Sequence, residues 1–266
     1  MNFKNLWLMF SLIMLTVVPT KIYGMIKNID IINSIIFDVS VVVILAFFII
    51  FTSFIKLNKK NIDVKKNYFL GIISIPVFIQ FFICIPTYWN DTSKYDFAWQ
   101  PLLMSFLSAL SCITFILLAI TFFTGKNIIN KAPFFLYCPI LWYGLYLLIF
   151  MSIYTNHVNP YEVVAAAFVS LFLLYNTQVF STSSNMNIIK IMFVFGIPAI
   201  ILASINGCYR LLEIKLNYSV AKTSNSAPVA TSILQLFLAA YILFTLIDAY
   251  IQYDKSNDPV IKSVTL

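Results

Sequence analysis

Residues 101–124 read PLLMSFLSALSCITFILLAITFFT, twenty-four positions without a single charged side chain. A hydrocarbon layer about 30 Å thick is crossed by roughly 20 helical residues, so this run is long enough to span a bilayer. It is one of eight: the others lie near 6–23, 35–55, 68–86, 134–153, 161–180, 188–209 and 230–250. None shows the apolar/polar alternation of a barrel strand, and all are longer than one. Backbone groups inside lipid must be satisfied within their own segment, so the runs predict helices. The fold class expected is all-α, a polytopic transmembrane bundle of about eight spans filling residues 1–266 as a single integral membrane domain.

Composition agrees with that reading. Only 10% of the residues are charged and the mean hydropathy is +0.91, against about 25% charged residues in soluble domains. The net charge of +7 sits in short loops beside the apolar runs, the pattern of membrane insertion rather than of a nucleic-acid surface. Eleven of the seventeen Lys and Arg fall on one face, five of them in Lys56–Lys66. Positive residues mark the cytoplasmic side, so both termini are expected there. The first run also has the outline of a signal peptide, but Ile22-Tyr23-Gly24 fits the small-residue cleavage rule poorly. It is read as an uncleaved span; cleavage would leave seven spans in the same orientation.

Catalytic and cofactor signatures are missing from the sequence. There is no Walker loop, dinucleotide fingerprint, HExxH or GxSxG. The lone histidine, His157, lies in an expected outer loop. Cys84, Cys112, Cys138 and Cys208 have no metal-ligand spacing, and a pairing of Cys84 with Cys208 near the outer surface is left open. No enzyme activity, cofactor, metal or nucleic-acid partner is expected.

Polar residues are unevenly placed by depth. At 1.5 Å per residue, Gln80 lies roughly 18 Å along its span from the cytoplasmic side. Asp38, Glu162, Asn206 and Arg210 also fall toward outer span ends, with Glu213 one turn beyond Arg210 and Gln235 early in the last span. The cytoplasmic half holds fewer such groups, namely Asn176, Gln178 and Asp248. Ionisable groups at depth pair, reach water, or mark a function. Asp38, Gln80, Glu162, Asn206, Arg210 and Glu213 are therefore the candidate ligand-binding residues of an outward-facing pocket. The bland alternative is that they sit at headgroup level.

Three segments carry a resemblance: Pro133-Phe-Phe-Leu-Tyr-Cys-Pro-Ile-Leu-Trp-Tyr-Gly144, Tyr161–Val179, and Phe195-Gly-Ile-Pro-Ala-Ile-Ile-Leu-Ala-Ser204 with Tyr209-Arg-Leu-Leu212. About a third of the chain thereby resembles eight-span membrane proteins of clostridia and related Firmicutes that have no assigned function. The resemblance implies a bacterial cytoplasmic membrane and supplies no catalytic residues. The function expected is non-enzymatic binding of a small molecule or lipid, as a sensor or accessory subunit. The alternative is a small-solute transporter, for which a polar path should continue from Gln80 toward the cytoplasmic half. Membrane lipid is the expected partner, and a partner subunit is not specified by the sequence.

Overall fold

The computed structural model describes residues 3–26, 39, 41–47, 49–50, 52, 65–90, 97, 99–153, 160–180, 187–215 and 228–257. Among them are seven long helices and no strand: α1 Phe3–Ile26, α2 Tyr68–Asn90, α3 Trp99–Thr124, α4 Phe134–Ile153, α5 Pro160–Phe180, α6 Asn187–Lys215 and α7 Val229–Asn257. Of the expected span at 35–55, the described residues are helical, and the rest, Asp38 included, lies outside the described residues. Six helices, α1, α2, α3, α5, α6 and α7, are long and apolar enough to cross a membrane; α4 carries a shorter apolar stretch, Phe134–Ile149.

Helices α2 to α7 form a closed ring in chain order. Each packs on the next, and α7 returns to pack on α2, while α1 lies outside against α6. Neighbours in the ring run antiparallel. The start of α2 meets the end of α7 through Asn67 and Asp248, and late α6 meets early α7 through Asn206 and Gln235. The bundle therefore has two ends. One holds Lys65, Lys66, Lys126, Lys131 and Lys190 and is called here the lysine end; the other holds Glu162 and is the glutamate end.

Aromatic side chains fill the ring. Phe81 of α2 packs on Phe115 of α3 and edge-on against Trp142 of α4, at centroid distances of 5.6 and 5.5 Å. Phe115 in turn meets Tyr241 of α7 at 5.4 Å, and nearer the lysine end Phe122 of α3 meets Phe180 of α5 at 5.9 Å. The α2–α4, α3–α7 and α3–α5 pairs are not ring neighbours, so these contacts cross the interior. Phe81, Phe115, Trp142 and Tyr241 are all completely buried. Such crossed ring contacts stabilise by about 0.5–1.5 kcal/mol each beyond area burial.

Two irregularities have identifiable remedies. Gly125 stops α3 with φ of 71° and donates its N–H to the Thr121 carbonyl at 2.8 Å, the left-handed helix end that glycine tolerates without strain. Pro139 cannot donate to the Phe135 carbonyl one turn back, and the Thr114 hydroxyl of α3 donates to that carbonyl instead. Asn67 caps α2 by accepting the Leu70 N–H at 3.2 Å.

Candidate functional site

The glutamate end contains a carboxylate inside the ring. Glu162 opens α5 next to Pro160, and is only 7% exposed. It accepts a hydrogen bond from the Tyr146 hydroxyl of α4, and the Arg210 guanidinium of α6 lies within electrostatic reach. Tyr146 stacks in parallel on Trp142, with centroids 5.5 Å apart. Trp142 donates its indole N–H to the Ser108 hydroxyl of α3 at 2.7 Å, and Tyr88 of α2 packs edge-on against it. Tyr143 completes the cluster at 4.9 Å from Trp142. Its hydroxyl is buried, interacts electrostatically with Glu162 and Cys84, and has no hydrogen-bond partner among the described residues. A buried hydroxyl left so is costly by about 1–3 kcal/mol, and it marks a place where a polar group fits.

Gln80, Asn206 and Gln235 serve a different purpose. Gln80 donates to the Ala230 carbonyl in the first turn of α7 at 2.8 Å, and Asn206 donates to Gln235 at 2.6 Å. Both bonds seat α7 between α2 and α6. The Gln235 amide nitrogen has no partner among the described residues. The expected site residues thus divide: Glu162 interacts electrostatically with Arg210, whereas Gln80 and Asn206 form a seam along α7. Asp38 and His157 lie outside the described residues, as does the side chain of Glu213, whose backbone belongs to α6. All four cysteines are free thiols, so Cys84 and Cys208 are not paired.

At the lysine end lies a cavity of about 30 Å³. Its polar wall comprises Lys65, Asn176, Thr245, Asp248 and Gln252, and Phe122 and Phe180 are among the apolar residues behind them. Asp248 receives amide N–H groups on both oxygens, from Asn67 and from Gln252, each at 2.8 Å. Asn176 donates to the Tyr241 hydroxyl at 3.1 Å. The crossed aromatics Phe81, Phe115, Trp142 and Tyr241 stand between this cavity and Glu162.

No protein-family model, curated protein or solved structure matches the chain. What the site can do therefore rests on its chemistry. Among the described residues no three His, Cys, Asp or Glu side chains group to hold a metal ion. A carboxylate, a guanidinium and a ring of aromatic faces suit recognition of a polar or charged head on an apolar body.

Glu162 and Arg210 were singled out in the sequence, whereas the aromatic residues around Glu162 were not. Trp142, Tyr143 and Tyr146 lie on α4 at spacings of one, three and four, which does place them near one helix face. In a chain with 26 Phe and 15 Tyr that signal is diluted, and the same spacing suits a lipid-facing belt.

Proposed function

We propose that the chain is a non-enzymatic membrane protein that binds a small molecule or lipid at Glu162, acting as a sensor or accessory subunit. The observation that carries this reading is the Glu162–Tyr146 pair inside the ring, with the unpartnered Tyr143 hydroxyl beside it and Arg210 within reach. Ionisable groups held in a membrane interior mark ligand or ion sites as a rule. The proposal takes the chain as an eight-span protein of a bacterial cytoplasmic membrane, with its lysine end and both termini cytoplasmic. The site then faces outward, and its aromatic walls suit a ligand with an apolar portion.

The test is native mass spectrometry of the protein purified in mild detergent. A retained small molecule or lipid is expected on the wild-type chain, with retention falling about tenfold, or 1.4 kcal/mol, in Glu162→Gln and in Arg210→Gln. Equal retention in both variants would reject the site. Asp38→Ala, measured alongside, tests whether the second expected span contributes to the same pocket.

A second reading, a small-solute permease, is favoured by one observation: a cavity with Asp248, Asn176 and Gln252 in its wall at the opposite end of the same ring. Polar groups at both ends with an aromatic layer between them suit a gated path. Gln80, from which such a path would start, has its amide engaged with the Ala230 carbonyl. Uptake of a solute into proteoliposomes, abolished by Trp142→Ala, would favour this second reading over the first.

A further inference from the structure

The cavity at the lysine end has a chemistry of its own, independent of whatever Glu162 binds. Its amide and hydroxyl groups are already donating within the bundle: Asn176 to Tyr241, Gln252 to Asp248, and Thr245 to the Tyr241 carbonyl at 2.8 Å. The orientation of Gln252 is fixed by chemistry, because an ionised carboxylate only accepts and so requires the amide nitrogen to face it. Asn67 is oriented by the same requirement, and its oxygen is taken up by the Leu70 N–H. With their nitrogens directed into the bundle, the amide oxygens of Asn176 and Gln252 are the groups left to meet an occupant. Asp248 keeps further lone pairs on both oxygens. The polar part of an otherwise largely apolar wall thus presents oxygen acceptors.

Charge points the same way. Asp248 and Lys65 both line the cavity, yet no ion pair joins them. Among the described residues, the side chains that hydrogen-bond to the carboxylate are the neutral amides of Asn67 and Gln252. A volume of about 30 Å³ accepts an occupant the size of one or two waters. A divalent ion of the calcium type takes 6–8 oxygens and usually several carboxylates, and here there is one.

We infer that this cavity is a binding site for a single monovalent cation of alkali-metal size, held by the Asp248 carboxylate with the Asn176 and Gln252 amide oxygens. The occupant compensates Asp248 and joins α5 to α7 where the ring closes on α2.

Equilibrium binding of radiolabelled sodium and of rubidium, the latter standing in for potassium, tests this on the purified full chain in detergent, with N-methylglucamine balancing ionic strength. Saturable binding of at least one of the two ions, near one per chain, is expected. Asp248→Asn should weaken it about tenfold or more, and Asn176→Leu should weaken it without touching the carboxylate. Lys65→Met should leave it intact or tighter. Absence of saturable binding of both ions by the wild-type chain overturns the proposal, as does unchanged binding in both cavity variants. Binding that appears only in Lys65→Met also overturns it, since the lysine ammonium would then be the resident cation. If Asp248→Asn fails to fold, the wild-type stoichiometry and Asn176→Leu decide.

Discussion

A methyl group added at Gly207 would clash with Leu236 Cγ and lie 2.9 Å from the Ser232 carbonyl oxygen. The second contact is with backbone, which cannot swing aside, so α6 and α7 approach here more closely than any side chain permits. Gly196 is tight in a softer way, facing the ends of Leu246 and Phe172 at 2.9 and 3.0 Å. At Gly144 a methyl meets nothing within 4 Å. Thermal unfolding in detergent should therefore rank the alanine variants. Gly207→Ala should lose about 1–3 kcal/mol by overpacking, Gly196→Ala less. Gly144→Ala should be neutral or gain up to about 1 kcal/mol from helix propensity. None of this ranking is legible in the sequence, where the three glycines look alike. Glu162 was legible, because a carboxylate beside an apolar run is conspicuous wherever it occurs. Tyr146, its donor, was not, since nothing in a tyrosine says whether its hydroxyl finds water or another helix.

Helices as elements were easy to read and their ends were not. Hydropathy marks where a segment meets lipid, but hydrogen bonding decides where it stops. Thus α2 continues to Asn90 and α6 to Lys215, beyond the apolar runs that announced them. Pro139, inside α4, shows what a proline requires of its neighbour. Its missing N–H exposes the Phe135 carbonyl, and Thr114 supplies the donor from α3. A double-mutant cycle on thermal stability should reveal this. Thr114→Val alone should cost about 1–2 kcal/mol by leaving the carbonyl unpaired. In a Pro139→Ala background, the backbone regains an N–H that donates to the Phe135 carbonyl itself, and the same change should cost little. Equal costs in both backgrounds would show that the two residues are not coupled.

At the scale of the whole molecule, the ring was invisible beforehand, because an apolar run does not name its neighbours. Polar residues came closest to naming them. Asn67, Gln80, Asn176 and Asn206 were scattered by depth, yet each makes its cross-helix bond to α7, through Asp248, Ala230, Tyr241 and Gln235. Amide bonds between membrane helices contribute on average about 0.6 kcal/mol, so their joint effect is to select α7's position among competing packings. The proposed orientation belongs to this scale too. Phe97, exposed at the glutamate end, and Lys126, exposed at the lysine end, are suitable cysteine positions in a background whose native cysteines are replaced by serine. A membrane-impermeant maleimide should label Phe97→Cys in intact cells and Lys126→Cys only after lysis. The reverse pattern would invert the topology and turn the Glu162 site inward.

That all four amides wait for α7 has a consequence for how the protein is made. Of the described helices, α7 is the last to leave the ribosome, so α2, α5 and α6 are made before the α7 groups that these amides bond. Until α7 arrives the described helices form an open arc. A chain cut short of Val229 would lack all four bonds at once, and the ring would have no closing member.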